Sequence, residues 1–445
     1  MLPRLLILFA VLFGVSVPTQ AAAIALIRDG ETEALLKDYT YPLLAAAGLN
    51  PKQVGLFIVD DPNINAFVTG GQNIFFHTGL ILQAETPNTV IGVTAHETGH
   101  ISAGHIVRGS LARKQSGRAA LVATILGFGT MLAGAPQAGI ALITGGQQVA
   151  LRTYLVYNRG QEAGADVVAL QLLQATRQSP AGIISVMENF AGQEVLSETS
   201  QDPYVRAHPM PRHRVSAYIE GAQKSPYFNA KDDPALQFRH DMVRAKLHGF
   251  IDSPTSTFRR YARDKSSPMA QYALAIAYHR SAKLDDAIRL IDSLIEQYPR
   301  NPWFHELKGQ IYYENGKAQK GIAPYKKAVA LRGREPLLLI GLATCQLSLA
   351  AQENMDEATQ AQLNQEAETI LRRALRLDPY NNAAYFQLSK TYGQLGKTAY
   401  AQWALAEYYA LLGNPAAKRH AKIALQGLEK SSTEYLRASD IIEGE

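Results

Sequence analysis

Within VTAHETGHISAGH, Val93 to His105, three histidines and one glutamate fall in a single short stretch. His96 and His100 stand four residues apart, so on a helix they share one face, one turn apart, and both imidazoles can reach a single ion. Glu97 lies beside them and can hold a metal-bound water from the side. HETGH thus supplies two ligands and a general base. His105, nine positions after His96, is turned about 180° round the same helix. Motifs with a third histidine ligand want it six residues after the second, with glycine three after. Here those positions hold Ile106 and Ala103. His105 is therefore expected to be structural or solvent-facing rather than a ligand.

A third ligand is offered by YNRGQEAGADVVAL, where Glu162 and Asp166 are again four apart on a helical stretch. Glu162 can coordinate the ion, and Asp166, one turn on, can accept a hydrogen bond from a ligand histidine and orient its ring. The small residues Ala163, Gly164 and Ala165 between them point to close packing. Two histidines and a carboxylate leave a fourth position for water, whose pKa the ion lowers towards ~7. Glu97 can take that proton and later return it to a leaving amine. This pattern is a peptidase site, and His/His/Glu with an open position suits zinc best.

The elements that must position these groups are legible in outline. Residues 27–47 read as a helix with Asp29 as N-cap and Gly48 just past its end. QVGLFIVDD reads as a strand, and INAFVTGGQNIFFHTGLI as a hairpin turning at Gly70-Gly71. A helical pattern from about Asn88 carries HETGH. The expected fold class is α+β: a mainly helical domain with a small sheet, followed by an all-α solenoid. Residues 119–150 form an alanine- and glycine-rich apolar segment cut by Pro136, each half short against the ~20 residues needed to cross a bilayer. A hairpin fits, either buried on the domain or dipping into a membrane surface.

The solenoid rests on a repeat. Pro268, Pro302 and Pro336 recur at intervals of 34 residues, the tetratricopeptide period. Supporting positions of the repeat are filled by Leu274, Tyr278, Ala287 and Pro299 in the first unit and by Gly309, Tyr312, Gly316 and Ala328 in the second. A third unit carries an insertion of roughly 12 residues near AAQENMDEATQA, and a fourth runs from Asn382 through Gly396. Stacked units of this kind make a concave surface for peptide or protein binding.

Composition fits these domains. The chain has 445 residues, 47% hydrophobic and 19% charged, with net charge +5 and no dense Lys/Arg block, which gives a nucleic-acid role little support. MLPR, the apolar run LLILFAVLFGVSV and PTQAAA form a tripartite secretory pattern, with cleavage after Ala21 or Ala23. The single cysteine, Cys345, cannot form an internal disulfide. An exported protein without disulfides fits a bacterial periplasm.

HETGH followed by EAGAD resembles the HtpX-like zinc metallopeptidases, and export signal, catalytic domain and C-terminal repeats together resemble their periplasmic BepA-type branch. The resemblance implies that His96, His100 and Glu162 bind one zinc ion, that Glu97 is the catalytic base, and that Asp166 is a proton donor. NAFVTGG resembles the strand bordering the family's cleft, whose edge can pair with an extended substrate. AHPMPRHR resembles its His-Pro segment, placing His208 as an extra ligand, oxyanion stabiliser or plug, or as a free loop histidine. Arg214 closes that segment. The implied division is a signal peptide over 1–23, a peptidase domain over 24–225, connecting helices over 226–267 and repeats over 268–430. Expected partners are unfolded or misassembled polypeptides and, through the repeats, outer-membrane assembly machinery. A different class of protein stays open: a scaffold or chaperone with a latent metal site.

Overall fold

The computed structural model describes residues 25–69, 72–105, 158–193, 201–353 and 355–444. The expected signal peptide, the Gly70-Gly71 turn and the 119–150 segment lie outside them. Four short strands form one sheet in the order β1-β2-β4-β3: β1 Leu26–Ile27, β2 Gly55–Val59, β3 Ala66–Thr69 and β4 Asn73–His77. β2 and β4 pair in parallel with Phe57 opposite Phe75, and β3 runs antiparallel to β4 along the edge with Phe67 opposite Phe75. Alternation sets the two faces. Phe57, Phe75 and Phe67 stack on one face at centroid distances of 4.9 and 5.1 Å, while Ala66, Ile58, Ile74 and Phe76 are buried in the core.

The expected first helix is α1, Gly30–Ala46, shorter at its start because Leu26 and Ile27 pair with β2 instead. Asp29 caps it by accepting from Thr32 N–H, and Gly48, at φ +72°, ends it in the left-handed conformation glycine tolerates. After α2, Thr78–Gln83, comes α3, Pro87–Ser102, which begins on proline at its first turn and is buried almost all round. The helix over 158–175, α4, lies against it. Contact there is close because residue 99 has no side chain: a Cβ on Gly99 would stand 2.7 Å from Ala165 O. The domain closes with α5 Ile184–Phe190, α6 Pro203–Ala207, α7 Arg212–Gln223 and α8 Pro234–Ile251.

Past α8 and a short helix at Pro254–Arg260, helices come in antiparallel pairs. The first is Pro268–Arg280 with Leu284–Gln297, and the second is Pro302–Glu314 with Ala318–Leu331. The third is Pro336–Ala350 with Glu357–Leu377, and the fourth Asn382–Gln394 with Thr398–Leu411. Each in-phase proline opens the first helix of its pair. Much of the insertion in the third unit lengthens its second helix: Glu357–Leu377 has 21 residues against 14 for the second helices of the other pairs. Helices Ala416–Ala424 and Thr433–Glu443 follow and pack on the fourth pair.

The two domains share a junction. Val243 and Leu247 of α8 belong to the core of the N-terminal domain, while Met242 packs with Tyr272, Ile276 and Phe304 of the helical pairs. From α1, Ala34 packs on Trp303, Ala328 and Leu338. Beside this apolar seam Lys246 Nζ reaches Asp29 Oδ1 at 2.5 Å, Glu306 Oε2 at 3.3 Å and Glu31 Oε2 at 3.5 Å. Tyr272 O–H donates to Glu31 Oε2 at 2.8 Å. One buried and two part-buried carboxyl groups thus share one ammonium. Burial pushes Glu31 up to about 7 against the pull of Lys246, and the surrounding acids hold Lys246 charged well above its ordinary range despite its burial.

Candidate metal centre

Helix α3 carries His96, Glu97 and His100; α4 carries Glu162 and Asp166; His208 caps the C-terminus of α6, its N–H donating to Tyr204 O at 2.7 Å. The close α3–α4 approach at Gly99 sets Glu162 opposite the two α3 imidazoles. His96 Nε2 stands 3.1 Å from His100 Nε2, 3.3 Å from His208 Nδ1 and 3.3 Å from Glu162 Oε2. Glu162 Oε1 is 3.4 Å from His100 Nε2, and its Oε2 is 3.1 Å from His208 Nδ1. One donor atom from each of these four residues lies within 4.8 Å of every other.

This geometry can be tested against a metal. Ligand bonds of about 2.0–2.1 Å in a tetrahedron put neighbouring donor atoms about 3.3–3.4 Å apart. Five of the six pairs, drawing on both Glu162 oxygens, stand 3.1 to 3.4 Å apart, and all four residues offer atoms within 4.8 Å of one another. Four lone-pair donors crowded in a buried space repel one another unless a cation or protons lie between them. The residues fit a single zinc ion. Three of the donors come from the expected residues; the fourth is His208, which the sequence left among several roles and which the fold brings in as a full member of the cluster.

Around the donors the electrostatics are strongly biased. His96 is fully buried, which disfavours its charge, yet the Asp166 and Glu162 carboxylates outweigh burial and push it up to about 10. Burial likewise opposes ionised Glu162, but His208, His100 and His96 hold it well below the usual carboxylate range. Asp166 lies behind His96, its Oδ1 2.9 Å from His96 Nδ1. Arg214, on α7, donates to Asp166 Oδ2 from Nε at 2.7 Å and to Oδ1 from Nη2 at 2.9 Å. Its Nη1 donates to Pro209 O at 2.8 Å and reaches Glu162 Oε2 at 2.9 Å. One buried guanidinium therefore ties together both α4 acids and the chain just after His208. Against the penalty of burial, that pairing holds Asp166 below its ordinary pKa.

Glu97 projects to the side of the cluster, 1% exposed, with Oε1 3.5 Å from His208 Nε2. Neither atom has a hydrogen-bond partner among the described residues. Tyr204 packs its ring 5.0 Å from that of His208, and its hydroxyl is also buried and unpaired among the described residues. Sequence reasoning missed one residue's role here. Arg214 was noted only as the last residue of AHPMPRHR, although a lone arginine beside a metal motif rich in acids was itself a signal. His105, expected to be structural or solvent-facing rather than a ligand, makes a structural contact: its Nδ1 lies 3.1 Å from His100 Nδ1.

Residues 28–220 match peptidase family M48 and residues 268–311 match a tetratricopeptide repeat. The beta-barrel assembly-enhancing protease of Yersinia pestis is 26% identical over 298 residues, 64% of this chain but only 59% of that one. The protein of the same description from Escherichia coli strain K12 is 25% identical over 369 residues, covering 80% of this chain and 71% of its own. Metalloprotease LoiP of that strain is 28% identical over 172 residues, 38% of this chain and 62% of its own. Family match, relatives and donor cluster agree: residues 28–220 are similar to the peptidase domains of family M48 and bring together a donor set that fits a single zinc ion, and a segment similar to tetratricopeptide repeats follows.

Proposed function

We propose that the chain is a zinc endopeptidase of the bacterial periplasm that degrades misfolded or stalled outer-membrane proteins, with the repeats recruiting these clients. The observation that carries this reading is the pairing of a donor set that fits zinc with a buried Glu97 carboxylate oxygen at its flank that has no partner among the described residues. His96, His100 and Glu162 would hold the ion, and Asp166 and Arg214 would keep His96 and Glu162 in register. When bound, zinc polarises a peptide carbonyl and supplies a water nucleophile acidified to about pKa 7.

The chain's own residues do the rest. Glu97 Oε1 accepts the proton and returns it to the departing amine. β3, the sheet's edge strand, packs beside α3 and offers backbone groups for an extended client to pair with. Cleavage in extended form suits unfolded chains, since a folded substrate presents few free edges. Asp166, held ionised by Arg214 behind His96, suits orientation better than proton donation. No described helix is long and apolar enough to cross a membrane. The outer-membrane part of the proposal leans on the descriptions of the relatives.

The test is Glu97→Gln. Cleavage of an unfolded outer-membrane protein should fall by about 10²–10⁴-fold, the usual contribution of a positioned base, while zinc stays bound. Crosslinked clients should then accumulate on the variant, and removing residues 268–445 should abolish that capture. Full activity in the variant would reject the assignment.

A second reading, a latent site on a scaffold, is favoured by one observation: His208 Nδ1 stands 3.3 Å from His96 Nε2 and 3.1 Å from Glu162 Oε2, inside the donor cluster. On that reading His208→Ala raises basal proteolysis by opening the fourth position. If His208 instead stabilises the reacting carbonyl, the same substitution lowers it.

A further inference from the structure

We infer that His105 is a positioning residue for the metal centre, acting as the hydrogen-bond acceptor that fixes the ring orientation and tautomer of His100. The inference rests on the zinc reading of the cluster, and it concerns a residue to which neither the motif nor the family resemblance gives a role.

His100 turns Nε2 into the donor cluster, 3.1 Å from His96 Nε2 and 3.4 Å from Glu162 Oε1. A neutral imidazole that ligates through Nε2 carries its hydrogen on Nδ1. That Nδ1 stands 3.1 Å from Nδ1 of His105, with the rings edge to face at a centroid distance of 5.1 Å. Only one hydrogen fits between two nitrogens at this distance. His100 therefore donates, and His105 accepts through Nδ1, which places the His105 hydrogen on Nε2.

The backbone explains why a residue nine positions after His96 can do this. Helix α3 ends at Ser102, and Gly104, at φ +65°, turns the chain back on itself. His105 is thus carried out of helical phase and under His100. A side chain from α4 holds it there: Gln161 Nε2 donates to His105 O at 3.1 Å. The two α3 ligands then have matched outer partners, a carboxylate behind His96 and an imidazole behind His100.

Atom position gives a discriminating test. Asparagine places its side-chain oxygen where histidine has Nδ1, whereas glutamine places it near Nε2, and phenylalanine keeps the ring with no acceptor. Zinc affinity of the full chain would be read by competition with a chromophoric chelator. His105→Gln and His105→Phe should each weaken zinc about 10–100-fold, the range seen for lost outer partners of ligand histidines, and His105→Asn should restore most of it. Thermal unfolding of the zinc-free forms should differ little among the three. Equal affinity in the asparagine and phenylalanine forms would overturn the inference, as would a phenylalanine form as tight as wild type. If wild type itself bound no zinc, the metal-site reading would fall instead.

Discussion

Replacing Lys246 with methionine removes the cation that buried Glu31 and part-buried Asp29 and Glu306 share, and leaves the three acids around an apolar side chain. The consequence depends on pH, and its sign follows from the acids. Glu31 is pushed from 4.5 to about 7 by burial, and burial raises Glu306 as well. A raised folded-state pKa gives stability that is full below the unfolded value of 4.5 and is lost as pH climbs through about 7. For Glu31 the shift corresponds to about 3 kcal/mol. Asp29 runs the other way, held below its ordinary value against burial by Lys246 and Thr32, so its contribution is lost only under stronger acid.

At pH 8 the variant should thus leave uncompensated buried charge and lose about 3–5 kcal/mol. At pH 5 Glu31 retains its proton and Asp29 keeps the Thr32 N–H and O–H donors, so the loss should shrink to about 2 kcal/mol, one charge-assisted hydrogen bond. Urea unfolding at the two pH values gives the comparison, with Trp303 as reporter, its ring centroid 5.8 Å from Lys246 Nζ. Glu31→Gln in the wild-type background should flatten the fall in stability between pH 5 and 8. A Lys246→Met loss of equal size at both pH values would refute the account of the junction as a proton-loaded cluster.

Two other substitutions probe the metal centre. Gly99→Ala places a Cβ 2.7 Å from Ala165 O, against backbone that cannot yield cheaply. It should separate α3 from α4, destabilise the domain by about 1–3 kcal/mol and weaken zinc, measured by denaturation and metal titration. Arg214→Met strips the guanidinium from Asp166 and Glu162, two acids that are 5% and 2% exposed. Zinc-free protein should lose about 3–5 kcal/mol. Added zinc should recover part of this by neutralising Glu162, which a melting curve with and without metal would read.

How much of this was legible beforehand differs from one residue to the next. HETGH and EAGAD are local patterns: helical periodicity alone puts His96 beside His100 and Glu162 in line with Asp166. Proline phase marked the repeats for the same reason, because each unit repeats one local geometry. Asp29 and Gly48 marked the ends of α1 by the hydrogen bonding and left-handed backbone that helix termini require. The four-residue spacing also suggested Asp166 behind a ligand histidine, as it stands behind His96.

What joins segments far apart was not legible. Whether His208 enters the cluster depends on how α6 ends over α3, and no spacing rule spans the 112 residues between His96 and His208. Arg214 has no local partner; its role exists only once α7 lies against α4. His105 was judged by continuing the α3 helix to a residue where the helix had already stopped, and Gly104 made that extrapolation fail. The sharing of Lys246 among three acids requires two domains to close on each other. By itself the sequence determined which chemistry was present and on which helices, because those follow from backbone periodicity. Only the tertiary structure decided which charges meet, because burial and pairing are set by packing between elements and not within them.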